Sequence, residues 1–144
     1  MPIVFSKVGH LVLRVSDLRR SVAFYEVLGL REVARRDFGE GPMAFLSTGN
    51  AHHDIALVET DATRGGALHH FALKVGDSLA ALADVRAALD AAGLRVHMAL
   101  DHRVSQGLYI TDPDGNLIEL YVDAPEHTWR ENPSLVANSD PLSL

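Results

Sequence analysis

The chain has no cysteine in its 144 residues, so disulfides, thiolate nucleophiles and cysteine-ligated zinc or iron-sulfur centres are excluded. A metal, if one is held, must rest on histidine and carboxylate. Aromatics are scarce at 6%, with a single tryptophan. Basic charge is also short: 13 Lys and Arg stand against 19 Asp and Glu, the formal charge is -6, and no basic run exceeds Arg35-Arg36. The footprint of a nucleic-acid binder is therefore missing, and a small molecule is the expected partner. No stretch approaches the roughly 20 apolar residues needed to cross a bilayer, and Met1 to Lys7 holds no long apolar run. A cytoplasmic protein with neither nucleic-acid nor membrane partners is expected. What remains, 47% hydrophobic and 22% charged residues, suits one globular domain over residues 1–144. At that length folding buries roughly two-thirds of the unfolded surface.

Histidine is the residue in excess. Eight are present, and His52-His53 and His69-His70 come as adjacent pairs. The second pair lies in a repeat. His10-Leu11-Val12-Leu13-Arg14-Val15-Ser16-Asp17 corresponds to His70-Phe71-Ala72-Leu73-Lys74-Val75-Gly76-Asp77 at an offset of 60 residues. Each copy runs on into an amphipathic segment and then Gly-Leu-Arg, at Gly29-Leu30-Arg31 and Gly93-Leu94-Arg95. Asp54-Ile55-Ala56-Leu57 and Leu117-Ile118-Glu119-Leu120 correspond at offset 63, the difference falling in loops.

Within a copy, alternation and β-branched content predict a strand over Val8 to Val15, after which Asp17 caps a helix with its carboxylate. Leu18, Val22, Tyr25 and Leu28 share one helical face, and Gly29 ends it. In the second copy Asp77 or Ser78 caps, Leu79, Leu82, Val85 and Leu89 form the stripe, and Gly93 terminates. Three strands follow each helix, at about Arg31 to Asp37, Met43 to Ser47 and Asp54 to Glu59, then Arg95 to Ala99, Gly107 to Ile110 and Leu117 to Val122. Gly39-Glu40-Gly41-Pro42 and Asp112-Pro113-Asp114-Gly115-Asn116 supply turns. The fold class is α+β: two β-α-β-β-β modules, about 7–60 and 67–123, forming a curved mixed sheet around a metal-binding cleft, with a tail over 124–144. Pro125, Pro133 and Pro141 bar a long helix from the tail, which either wraps over a neighbour or a cleft mouth with Trp129 as anchor, or frays.

Successive strand residues point to opposite faces. Leu11, Leu13 and Val15, and likewise Phe71, Leu73 and Val75, are expected beneath the helices; His10 and His70 point the other way. On the last strand Ile118 and Leu120 face the helices and Glu119 does not. Three metal-competent side chains thus leave the helix-packed face from three strands. Singly, each is an ordinary half-buried histidine or solvated glutamate. Together, two imidazoles and one carboxylate make a facial triad that leaves about three coordination positions open, suited to Fe(II) or Mn(II).

These residues resemble the vicinal oxygen chelate superfamily, which includes glyoxalase I, fosfomycin-resistance transferases, bleomycin-binding proteins and type I extradiol dioxygenases. The run Asp101-His102-Arg103-Val104-Ser105, Gly107-Leu108-Tyr109, Asp112-Pro113-Asp114-Gly115-Asn116 and Glu119-Leu120-Tyr121 is most similar to the catechol 2,3-dioxygenase branch. The resemblance implies metal ligation by His10, His70 and Glu119, a substrate-binding tyrosine at Tyr109, and a homodimer. Ala51-His52-His53-Asp54-Ile55-Ala56-Leu57 is similar to the stretch in which extradiol enzymes carry an acid/base histidine, here His53. Its parity is that of Ile55 and Leu57, so it reaches the cleft only if the regular strand begins after it. His102, seven residues before Tyr109, is a third catalytic candidate or a solvated turn histidine. His97 is expected to be structural or cleft-lining, and His69, pointing away from His70, structural.

The implied activity is Fe(II) extradiol ring cleavage of a catechol-like substrate with dioxygen, Mn(II) or another divalent ion being the alternative cofactor. Two other readings stand beside it: a glyoxalase- or fosfomycin-type divalent-metal lyase or transferase, and a non-catalytic binder that sequesters a small molecule. The fourth ligand of the glyoxalase I site would fall at Ala56, and bleomycin-binding proteins lack the triad.

Overall fold

A computed structural model of the chain describes residues 3–27, 30–60, 68–111 and 117–144. The first module comprises β1 (Lys7–Val15), α1 (Leu18–Val27), β2 (Arg31–Asp37), β3 (Pro42–Ser47) and β4 (Ile55–Glu59). The second comprises β5 (Leu68–Gly76), α2 (Leu79–Ala91), β6 (Met98–Asp101), β7 (Ser105–Thr111) and β8 (Leu117–Asp123). The tail adds α3 (Glu126–Glu131), a 3₁₀ turn (Pro133–Ala137) and β9 (Asp140–Pro141). Leu28, Gly29 and the Asp112-Pro113-Asp114-Gly115-Asn116 turn lie outside the described residues.

Caps set α1 and α2. Asp17 Oδ1 accepts from the Arg20 amide at 2.9 Å, while Ser78, rather than Asp77, accepts from the Ala81 amide. At the far end of α2, Gly93 takes φ 70°, and the Leu94 amide returns to the Leu89 carbonyl at 2.9 Å. That is the left-handed termination glycine permits.

The sheet order is β2-β3-β4-β1-β5-β8-β7-β6-β9. Each module contributes one parallel pair, β1 with β4 and β5 with β8, and the modules join at the antiparallel β1/β5 seam. The result is a curled mixed sheet with helices on one face. Leu18 and Val22 of α1 bury against Ala44, Leu46 and Leu57, with Leu13 and Val15 packed alongside. Leu82, Val85 and Leu89 of α2 bury against Leu108, Leu120 and Val122, with Leu73, Val75 and Ile118 alongside.

Two apolar expectations fail at the margins of these clusters. Leu11 is 41% exposed, because α1 packs on β2, β3 and β4 while α2 packs on β5, β7 and β8, leaving the seam between them uncovered. Leu79, in the first turn of α2, is 48% exposed. β6 also begins at Met98 rather than Arg95. Its pairing partner is set by β7 on one side and by β9 on the other, where Leu100 pairs with Pro141.

The third cluster fills the concave face: Val12, Met43, Phe45, Ala56, Val58 and Val104, closed by Val136 from the tail. The tail therefore covers the cleft. Trp129 packs against this cluster only partly buried, and the fully buried plug is Val136, at 1% exposure.

Candidate functional site

Three neighbouring strands, β1, β5 and β8, bring His10, His70 and Glu119 onto the concave face. All three are buried. His10 Nε2 lies 2.9 Å from Glu119 Oε2 and His70 Nε2 3.6 Å from the same oxygen. The three donor atoms fall within 4.8 Å of one another, and among the described residues they form the cluster able to hold a metal ion. Glu119 Oε1 and His10 Nδ1 are buried without a hydrogen-bond partner. A carboxylate this deeply buried is costly, and a divalent cation held between Glu119 Oε2, His10 Nε2 and His70 Nε2 would offset its charge. Burial alone would raise the Glu119 carboxyl, but His10 and His70 reverse this and hold it well below the usual carboxylate range. The residues fit a metal.

Two features of local sequence make this convergence possible. β1 carries an extra residue between Val8 and Leu11, and β5 one between Val12's and Leu13's partners, so both strands are bulged beside their histidines. The bulge in β5 also turns His69 toward the cleft, against the expectation from strict alternation. His69 is half-buried, lines the cavity, and stands with its Nδ1 2.7 Å from His70 Nδ1 and its Nε2 2.8 Å from Glu40 Oε2.

His53 enters the cleft because β4 starts at Ile55, beyond it. Its ring is buried 4.1 Å from that of His10 and 5.5 Å from Phe45. Burial, reinforced by the neighbouring His10 and His52 rings, lowers its pKa well below the ordinary imidazole value. The ring is thus held neutral, as an acceptor of protons must be.

Tyr109 sits opposite Glu119 in the β7/β8 register, with its ring 5.8 Å from His70. Burial and the Glu119 charge push its phenol well above its usual range. His102 is drawn from the turn into the cavity wall. Its Nδ1 lies 2.6 Å from the Asn138 carbonyl and its Nε2 2.9 Å from the Tyr109 hydroxyl. A carbonyl only accepts, so Nδ1 carries the hydrogen, and with the ring neutral Nε2 accepts a hydrogen bond from the Tyr109 hydroxyl. The tyrosine oxygen keeps its lone pairs for another donor. His97, by contrast, is exposed and bonds Thr111 Oγ1 at 3.2 Å, away from the cavity.

The cavity measures about 220 Å³. Histidines, Tyr109 and Glu119 line one part of it, and Val12, Met43, Phe45, Val58 and Val136 are among the apolar residues of its remaining wall. A second, polar cavity of about 400 Å³ adjoins it, and His53 borders both. There His52, buried like His53, places Nε2 2.7 Å from Asp123 Oδ1. Sequence reasoning passed over Asp123, although Glu119, Tyr121 and Asp123 share one parity along β8. It also passed over Asn138 and Val136, which carry no local signal.

Comparison with known proteins places this geometry among relatives. The profile of the Glyoxalase/Bleomycin resistance protein/Dioxygenase superfamily matches residues 7–120. Catechol-2,3-dioxygenase of Bacillus subtilis (strain 168) is 32% identical over 131 residues, covering 87% of this chain and 44% of that protein. Biphenyl-2,3-diol 1,2-dioxygenase 3 of Rhodococcus globerulus is 32% identical over 130 residues, covering 83% and 65%. A protein of Vibrio cholerae named as a probable lactoylglutathione lyase is 28% identical over 136 residues, covering 87% and 96%. The chain thus spans between roughly two-fifths and two-thirds of the two dioxygenases. Among solved structures, a variant of homoprotocatechuate 2,3-dioxygenase from B. fuscum shares the fold with a TM-score of 0.71 at 22% identity, over 90% of this chain and 37% of that one. No helix among the described residues is long and apolar enough to cross a membrane.

Proposed function

The chain belongs to the Glyoxalase/Bleomycin resistance protein/Dioxygenase superfamily, and from that premise we propose that it is an Fe(II)-dependent extradiol dioxygenase cleaving the ring of a small catechol-like diol. The observation that carries the reading is the buried cluster of His10, His70 and Glu119 with His53 and Tyr109 at its flanks. Relatives named catechol-2,3-dioxygenase and biphenyl-2,3-diol 1,2-dioxygenase, each at 32% identity, support it.

His10, His70 and Glu119 would hold the metal. When bound, Fe(II) supplies Lewis acidity toward the two diol oxygens and the electron that dioxygen activation needs. The protein's own groups do the rest. His53, neutral and 4.1 Å from His10 ring to ring, accepts a proton from a diol hydroxyl at its ring nitrogen. Tyr109 accepts a hydrogen bond from the substrate through its oxygen, since its own hydroxyl hydrogen is donated to His102 Nε2. Val12, Phe45, Val58 and Val136 contact the ring and exclude water. At about 220 Å³ the cavity is smaller than the range of about 300–1,000 Å³ common for drug-sized ligands. It suits a single-ring diol.

The lyase reading would draw a fourth ligand from β4. Ala56 stands there, clustered with Val12 and Phe45, and has no donor to offer. The test is oxygen consumption by anaerobically Fe(II)-reconstituted protein over a panel of simple and aryl-substituted catechols, with His10→Ala as the control for free iron. Uptake that yields a ring-opened product, absent in the control, supports the proposal. Metal bound without uptake would shift it to Lewis-acid chemistry or sequestration.

A further inference from the structure

His53 borders two cavities and touches a residue the proposed chemistry leaves unused. His52 Nδ1 lies 2.6 Å from His53 Nδ1, and His52 Nε2 lies 2.7 Å from Asp123 Oδ1. The other Asp123 oxygen receives Lys74 Nζ at 3.1 Å, and the Lys74 ammonium also pairs with Asp77. A five-residue chain of contacts therefore runs from the apolar cavity to the polar one.

Donor and acceptor chemistry fixes the hydrogens along it. Asp123, ionised, only accepts, so His52 Nε2 carries a hydrogen. With the His52 ring neutral, Nδ1 is bare and must accept. The only hydrogen available to fill the 2.6 Å contact is the one on His53 Nδ1. His53 Nε2 is left as the basic nitrogen of a ring that lines the metal cavity.

We propose that His52, oriented by Asp123, is a positioning residue that holds His53 in the Nδ1–H tautomer, leaving Nε2 as its proton-accepting atom. The same arrangement recurs across the cleft, where Glu40 and His69 stand behind His70. There Nε2 is the nitrogen turned to Glu119. A partner behind an imidazole that fixes which nitrogen faces the chemistry is a general device of metal and acid/base histidines. The tautomer rests on geometry alone; its consequence for turnover rests on the dioxygenase reading.

The test is a long-range ¹H–¹⁵N correlation spectrum of metal-free, histidine-labelled protein, with His53 assigned by His53→Gln. The expected spectrum shows protonated Nδ1 and bare Nε2 for His53; the opposite assignment overturns the proposal without any variant at His52. His52→Leu and Asp123→Leu are expected to release the ring toward Nε2–H. His52→Gln and Asp123→Asn, whose amide oxygens still accept, are expected to preserve the native tautomer. A tautomer unchanged in His52→Leu overturns the proposal. In the iron-loaded protein, His52→Leu is expected to lower kcat about 10- to 100-fold with KM and iron content retained, and His52→Gln to restore most of it. Full turnover in His52→Leu counts against the proposal alone. Failure of the wild type to turn over any diol would remove the dioxygenase reading, and the metal-free spectrum would still decide the tautomer.

Discussion

Gly107, paired with Tyr121, lies diagonally across from Glu119 on the adjacent strand, and a Cβ at residue 107 would fall 2.6 Å from Glu119 Oε1 and 3.0 Å from its Cγ. The carboxylate occupies the space a side chain would fill. Gly107→Ala is therefore expected to push Glu119 off the His10/His70 convergence while leaving the sheet paired. Mn(II) or Fe(II) affinity should drop about 10- to 100-fold, as for other changes behind a metal ligand. Calorimetric titration measures it, with an unchanged far-ultraviolet circular dichroism spectrum as the control for folding.

Metal should stabilise the fold, because a ligand that binds only the folded state shifts unfolding by mass action. At free metal 100 times its dissociation constant the gain is about 2.7 kcal/mol. Thermal melts with and without Mn(II) should show a rise in Tm that a chelator reverses. His70→Ala should melt at one temperature in both conditions.

The tail places one fully buried side chain in the concave cluster. Val136 is fully buried against Val12, Phe45 and Val58, so Val136→Ala should cost about 2 kcal/mol, by analogy with other large-to-small core changes. Urea unfolding followed by Trp129 fluorescence would show the loss as a lower midpoint with unchanged slope.

Metal-free stability should fall on both sides of neutrality, for separable reasons. Asp123 and Glu40 would be raised by burial, but His52 and Lys74, and Arg14 and His69, outweigh it and lower both. Lowered carboxylates stabilise the fold above their unfolded values of about 4 and lose that contribution as pH falls. His53 and His69 are lowered by burial, so their contribution is present above about pH 6.5 and fades below it. Tyr109, raised, stabilises below about pH 10 and stops doing so above it. Urea midpoints from pH 3 to 11 would trace these limbs, and His53→Gln should flatten the one that begins near 6.5.

Much of this was legible in the chain itself. The repeat set two modules, and alternation sent His10, His70 and Glu119 to the face opposite Leu13, Leu73 and Leu120, where the structure has them. Parity failed where strands are bulged or begin late. His69 turned inward at the β5 bulge, and His53 reached the cleft because β4 starts after it. Exposure of Leu11 depends on where two helices leave a seam uncovered, which no local pattern encodes. The closure by Val136 and the Asn138 carbonyl on His102 arise from the chain folding back over tens of residues. Asp123 was within reach, since it follows Glu119 and Tyr121 at strand spacing.

The most direct measurement of the proposed activity is isotopic. Fe(II)-loaded protein, supplied with a single-ring catechol under ¹⁸O₂, should release a ring-opened product carrying both labelled oxygen atoms, as insertion of dioxygen requires, and His53→Gln should release little of it while keeping its iron. Iron-loaded, folded protein that binds catechols but leaves the label in unreacted dioxygen would contradict the account.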